Sequence, residues 1–404
     1  MALGQLSLPE RPKLRICSND ERLEILILHM PKRTYNNTNK ISNALSQCEM
    51  METSQKIGIY AHIRPQHHQG LQIKYENWQN ALLKNGIETQ LHISQLTPFS
   101  ALKNAISVIW QNHSIIILRL DLLFFFYVIP LTISVLRKTT VIVELPDPFQ
   151  TVMKRYQNIN TINAWAKWTL MSIILYFIRV LPFHIATYAD NDDEFFRHKK
   201  SKYKIISNGV DFDLFPTVTN SCSDFKDTNI TVVCIANVAV AHGIDRLING
   251  IPGTNVQLKI IGSGQAIPSL KKLADQRGVS DQVSFLKPMI GVELTKAIEG
   301  AHVGLTALGC HREGLFQASP LKTREYAARG LPTFGSYLDT ALSDNGEFPF
   351  FHVPADETPL DVQSLCKFLR KQPKPIEIRE RGRLCFDVDV TAKQLIAFAR
   401  IGKM

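Results

Sequence analysis

Residues 311–332, HREGLFQASPLKTREYAARGLP, gather chemically capable side chains around one expected helix start. Ser319 suits an N-cap, Pro320 the first helical position, and Gly330 followed by Pro332 the end. The first turn of such a helix offers free backbone N–H groups and a partial positive charge. Lys322 adds a full charge there, and Glu325 lies three residues on, along the same face. These residue types at this spacing could hold an anion with a hydroxyl group beside it. The plain alternative is an exposed Lys322–Glu325 ion pair, worth a few tenths of a kcal/mol. Arg324 and Arg329 read as solvated side chains of the same helix.

The elements that must position this segment are legible on both sides of it. From Lys56, KIGIYAHI reads as a buried strand, LQIKYENWQNALLKNG as an amphipathic helix ending at Gly86, and IETQLHI as a second strand. SIIILRL, TVIVELP and HIATYA continue the series, with helical material between them. After a polar stretch near residues 216–228 the pattern restarts: ITVVCIANV, IDRLINGI, VQLKIIGSG, SLKKLADQRG, VSFLKP, ELTKAIEGA and HVGLTALG, then the helix above, LPTFG, and TAKQLIAFAR near the C-terminus. Alternation of this kind implies parallel sheets covered on both faces, hence two Rossmann-like α/β domains in series. The expected boundaries are an extension over residues 1–55, a first domain over 56–215, a second over 216–385, and a C-terminal helix over 386–404 that packs back on the first domain. The extension fits no pattern, and Met50 and Met51 stand just before the first clear strand, as a misread start would leave them.

A chain of 404 residues with 45% apolar content can bury two cores. Seven cysteines, scattered singly at 17, 48, 222, 234, 310, 366 and 385, have neither metal-ligand nor disulfide spacing, which points to a reducing compartment, the cytoplasm. A formal charge of +10 and a pI near 9.2 imply anionic partners. No zinc-finger, basic-zipper or RNA-binding signature accompanies that charge, so nucleic acid is not the expected partner. The opening residues carry charges throughout and lack the apolar core of a secretory signal. Residues 122–136 and 168–178 are unusually apolar, yet each is shorter than the roughly 18 to 20 residues that span a bilayer, and the first holds Pro130. They read either as core helices or, for the stretch with Trp165, Lys167, Trp168 and Arg179, as an element lying in a membrane interface.

Two weaker signals are set aside. Gly262 and Gly264 begin a dinucleotide fingerprint whose third glycine would fall at Ile267, so the match fails; the pair marks a tight strand-to-helix turn that could face a nucleotide base. His67 and His68 follow the first strand without any carboxylate–histidine spacing, and read as loop histidines rather than metal ligands.

Taken in order, IISNGVDFDLF (205–215), ANVAVAHGIDRLI (236–248) and ASPLKTREYAARGLP resemble the retaining GT-B glycosyltransferases that use nucleotide sugars, particularly those of bacterial surface polysaccharides. The resemblance covers roughly residues 56–402. Its Asn-Gly-Val-Asp turn, which closes the first domain in that family, is matched by Asn208, Gly209, Val210 and Asp211.

The resemblance implies a fold of two Rossmann-like domains facing each other across a cleft, and transfer of a hexosyl group without a metal or any cofactor beyond the nucleotide-sugar donor. In the family's Glu-x7-Glu motif the second glutamate holds the ribose hydroxyls, which here is Glu325. Amides between the two hold the diphosphate, here those of Leu321 and Lys322, with Ser319, Gly243, Gly262 and Gly264 around the nucleotide. The first glutamate's position is occupied by Gln317, and the family's Arg/Lys pair after the second domain's first strand is replaced by Asn237 and His242. His242, Lys322 and Arg312 would then have to neutralise the leaving diphosphate. On the acceptor side, Glu144 and Asp147 end a first-domain strand and could orient the acceptor, and Gly70 could allow its close approach. The expected acceptor is a lipid-linked glycan or polysaccharide, handled by a protein held peripherally on the anionic inner face of the plasma membrane. The rival expectation is a non-catalytic GT-B-like partner of the polysaccharide machinery, for which Gln317 and the missing Arg/Lys pair speak.

Overall fold

The computed structural model describes residues 55–401 apart from 65–68, 149–150, 152–161, 190–195, 197, 199–201, 220–224, 227–228 and 343–347. His67 and His68 lie outside the described residues, as does the segment before residue 55.

The first half builds β1 (Lys56–Ile63), α1 (Gln69–Lys84), β2 (Glu88–Gln95), α2 (Pro98–Trp110), β3 (Ile115–Arg119), a 3-10 segment (Leu122–Tyr127) running into α3 (Val128–Leu136), β4 (Thr140–Leu145), α4 (Ile162–Val180), β5 (His184–Thr187) and β6 (Tyr203–Ile205). All six strands are parallel, in the order β2-β1-β3-β4-β5-β6. Central parallel strands are buried on both faces, which is why β1 and β4 read as apolar runs.

The second half builds β7 (Thr231–Asn237), α5 (Ile244–Gly250), β8 (Gln257–Ser263), α6 (Ile267–Gln276), β9 (Val283–Leu286), α7 (Gly291–Ile298), β10 (Val303–Leu305), β11 (Gln317–Ala318), α8 (Leu321–Ala328), β12 (Thr333–Gly335), β13 (Leu338–Asp339), β14 (Phe350–His352), α9 (Val362–Leu369), α10 (Pro375–Phe386) and α11 (Val388–Ile401). Its parallel sheet runs β14-β12-β10-β7-β8-β9, and β11 pairs with β13 beside it. In each sheet the chain leaves its first strand in one direction and later returns to that strand's other side, so a crevice opens at the carboxyl ends of β1/β3 and of β7/β10. The two-domain Rossmann-like architecture expected from the alternation is the one observed: the fold is GT-B.

One face of the first sheet is covered by α2, the 3-10 segment, α3 and α4, whose Val108, Phe124, Leu131 and Ile174 share a core. The other face is covered by α1 together with α11, through Val388, Leu395 and Phe398. The chain returns to the first sheet by a bridge between Val210 and Asp387. There Val210 N donates to Phe386 O at 3.0 Å, Val388 N to Val210 O at 2.9 Å, and Thr391 Oγ1 to Ser207 O at 2.9 Å. Gly209 is required at this crossing because a Cβ on it would sit 2.7 Å from Val388 Cα and 2.6 Å from Thr391 Oγ1.

Three local expectations are corrected. The helix after residue 319 starts at Leu321, with Pro320 in extended conformation as its N-cap, and Ser319 does not cap it. Arg324 and Arg329 are buried rather than solvated. The apolar stretches at 122–136 and 168–178 are neither wholly core nor wholly surface: Phe124, Leu131 and Ile174 are buried, while Phe125, Ile129, Leu136 and Tyr176 are exposed. Among the described residues no helix is long and apolar enough to cross a membrane.

Candidate functional site

Two neighbouring cavities lie where the ends of the sheets meet. The smaller, about 330 Å³, has Lys74, Arg119, Asp147, Tyr188 and Asn208 on the first-sheet side and Leu315, Gln317, Ser319, Pro320 and Leu321 on the other. The larger, about 600 Å³ and mainly apolar, is lined by Gly70, Ile73, Lys74 and Asn77 of α1, by the chain crossing at 214–216, by Ile290–Lys296, and by Leu321, Glu325 and Arg329. Lys74 and Leu321 belong to both walls.

The α8 start is built by contacts across the sequence. Ser319 Oγ accepts from Asn208 N and from Arg324 Nη2, both at 2.8 Å, and Arg324 Nε donates to Asn208 O at 3.0 Å. Arg324 is fully buried, paired through both terminal nitrogens with Asp339 and stacked 4.5 Å from the Phe386 ring. Ser319, expected beside the nucleotide, therefore fastens α8 to the Asn208–Gly209 crossing. Asn208 Nδ2 donates to Ser319 O at 2.5 Å, while its buried Oδ1 has no partner among the described residues and lies in the wall of the smaller cavity. An acceptor left open in that way suits a ligand hydroxyl or a water.

Lys322 is partly buried, with its ammonium directed inward onto Thr306 O at 3.0 Å, beyond the end of β10. Burial pushes its pKa down, with the Cys234 and Cys310 thiols acting in the opposite sense. The charge of Lys322, and then burial, hold His242 down at about 3. Its Nδ1 accepts from Ala239 N at 3.0 Å, which leaves Nε2 as the protonated nitrogen of a neutral ring. The charge expected of His242 is thus absent, and what remains is an N–H donor.

Arg312 is likewise spoken for. It grips Asp245 with two bonds of 2.9 and 2.7 Å and Glu357 with bonds of 2.9 and 2.5 Å, bracing the 240–245 loop against the chain at 357. It is a strut, corrected from a diphosphate ligand. Glu325 does not pair with Lys322. Its Oε1 accepts from Arg329 Nε at 3.1 Å and Nη2 at 2.9 Å, and its Oε2 takes no hydrogen bond among the described residues. Glu325 stands on the wall of the larger cavity and Gln317, on β11, on that of the smaller.

Gly262 and Gly264 line neither cavity. A Cβ on them would fall 1.9 Å from Ala236 O and 2.2 Å from Val238 O, at φ values of +146° and +151°, so they serve close packing of the β7 and β8 ends instead of facing a base. Gly243 packs against the backbone of Leu308 and Gly309. Gly70 faces open space beside the larger cavity, and Asp147 lines the smaller one.

Glu144, expected to orient the acceptor, is a buried anion held within the protein. Lys74 Nζ lies 2.5 Å from its Oε1, Tyr188 OH donates to the same oxygen at 2.7 Å, Tyr75 OH donates to Oε2, and Arg119 stands 3.8 Å away. Burial alone would raise the carboxyl, yet Lys74 and Arg119 outweigh it and hold it below its ordinary value. Burial also pushes Lys74 down to about 8, against the pull of Glu144. This group is absent from the sequence reading, although one signal was present: Lys74 falls on the α1 stripe of Leu71, Tyr75 and Trp78, a charge at a core position.

Among the described residues no cluster of three or more His, Cys, Asp or Glu could hold a metal ion.

At the level of sequence, no family model and no curated protein matches the chain. Solved structures do share its fold. HepE of Anabaena, determined with UDP and glucose, is 13% identical with a TM-score of 0.56 over 85% of this chain and 98% of its own. WaaB, a lipopolysaccharide outer core galactosyltransferase, is 10% identical, TM-score 0.55, over 87% and 100%. AviGT4, a glycosyltransferase involved in avilamycin A biosynthesis, is 12% identical, TM-score 0.53, over 86% and 97%.

Proposed function

We propose that this protein is a glycosyltransferase that takes a hexosyl group from a nucleoside-diphosphate sugar and passes it, with retention and without a metal, to a lipid-linked glycan or polysaccharide acceptor at the inner face of the plasma membrane. The observation that carries the reading is the pair of adjoining cavities between the sheet ends, with the α8 N-terminus on one side and a buried cationic group on the other. The likeness of the fold to that of three sugar-handling proteins supports it.

In this reading the amides of Leu321 and Lys322, which lie in the first turn of α8 and have no partner within the helix, meet the diphosphate. Lys74 and Arg119, less the charge of Glu144 between them, supply a net positive charge from the first-sheet side, and Lys322, its ammonium turned inward onto Thr306 O, adds its field from α8, offsetting the absent Arg/Lys pair. Neutral His242 contributes an Nε2–H donor. Glu325 turns its open oxygen to the ribose, and Gln317 bonds a hydroxyl of the donor sugar. Asp147 and Asn208 Oδ1 stand where the acceptor hydroxyl would enter.

A second reading, a GT-B protein that binds but does not turn over, is favoured by the neutral His242, the engaged Arg312 and Gln317 in place of a carboxylate. Thermal unfolding against a panel of UDP, GDP and ADP sugars tests both. A ligand at 100 times its Kd adds about 2.7 kcal/mol of stability. Slow release of free sugar from the stabilising donor marks an enzyme, stabilisation without release marks the binding protein, and no stabilisation by any donor rejects both.

A further inference from the structure

We propose that the outer side of the helical layer α2–α3–α4 is a docking surface for an anionic lipid bilayer. The inner sides of these helices form one core with the first sheet, so their outer sides should be polar. Instead they hold half of the large apolar side chains that the described residues leave exposed, among them Phe99, Trp110, Ile129, Leu136, Trp165 and Tyr176, each at least 61% exposed. The spacing makes these continuous stripes. Phe99, Leu102, Ile106 and Trp110 follow i, i+3, i+7, i+11 opposite buried Ala101, Ala105 and Val108, and Trp165 and Tyr176 are three turns apart on one side of α4. An apolar face of this extent marks an interaction surface.

The charges name the partner. Lys103, Arg137, Lys138, Lys167 and Arg179 are exposed on or at the ends of these same helices, and residues 98–110, 122–138 and 162–180 contain no Asp or Glu. Tryptophan, aliphatic and basic side chains on one face fit the headgroup boundary of an anionic bilayer, where rings and alkyl groups enter and lysines meet phosphates. A second copy of the chain would set the same cations against each other with no acid between them. The absence of a spanning helix among the described residues makes this a surface attachment. The proposal rests on the functional reading only in giving a membrane-borne acceptor a reason to be reached.

The test uses the full chain and vesicles of phosphatidylcholine alone or mixed equally with phosphatidylglycerol. Co-sedimentation with the mixed vesicles is expected, weakening as salt rises. Two triple variants, Trp110→Glu/Ile129→Glu/Trp165→Glu and Lys103→Glu/Lys138→Glu/Lys167→Glu, should each lose more than tenfold in vesicle affinity with unchanged thermal midpoint and donor affinity. Equal capture by neutral vesicles at every salt concentration, or wild-type affinity in both variants, overturns the proposal. So does a concentration-dependent dimer that the apolar variant abolishes while vesicles capture nothing. Vesicle binding by a protein that no nucleotide sugar stabilises would keep the surface and reject the transferase.

Discussion

Lys322 holds His242 neutral: the lysine's charge, reinforced by burial, lowers the imidazole to about 3. His113 is lowered too, to about 4, chiefly by burial. Unfolded histidines titrate near 6.5, so as pH falls below that value the unfolded chain takes up protons that the folded chain refuses. The stability these two groups contribute is complete above pH 6.5 and is lost progressively as pH falls, down to about pH 4 for His113 and about pH 3 for His242. Thermal midpoints measured from pH 7.5 to 4.5 should fall, and His242→Gln and His113→Gln should each flatten the slope. A slope unchanged in both variants would reject the neutral assignment.

Glu325→Gln and Lys322→Met should each weaken binding of the stabilising nucleotide. A charged hydrogen bond lost from a closed site costs roughly 1.5–3 kcal/mol, or about tenfold to a hundredfold in affinity. Glu325→Ala should also lower the thermal midpoint, because it strands the buried Arg329 guanidinium, whereas Glu325→Gln keeps an acceptor for it. Calorimetric titration giving wild-type Kd for both conservative variants would remove them from the nucleotide site.

At Gln317 the carboxamide is expected to touch the donor sugar and not the nucleotide. Gln317→Ala should lower kcat/KM with free-nucleotide affinity nearly unchanged, and Gln317→Glu should keep or raise turnover, since a carboxylate favours positive charge developing at the anomeric carbon. Equal kcat/KM in wild type and Gln317→Ala would take residue 317 out of the active site.

Arg324 and Asp339 form a fully buried ion pair that also reaches Asn208 and Ser319. Removing one partner leaves an uncompensated buried charge, so Arg324→Met or Asp339→Asn should destabilise by about 3–5 kcal/mol. Denaturant unfolding with a loss below about 1 kcal/mol in both would show that the pair is not the clasp between α8 and the Asn208 crossing.

The sequence by itself determined the series of strands and helices, because parallel strands buried on both faces must be apolar runs, and it placed the α8 segment to within one residue, because proline, glycine and helix-start preferences act over a few bonds. It also marked which residues could meet an anion. Which of them are charged and available was decided only by the tertiary structure. Glu144 is claimed by Lys74 from 70 residues away, Arg324 reaches Asn208 across 116, and His242 is kept unprotonated by the charge of a lysine on another element. Gly209 is demanded by Val388 and Thr391 of a helix that returns at the far end of the chain. Burial and ion pairing depend on what the fold brings near, and no local pattern encodes that distance.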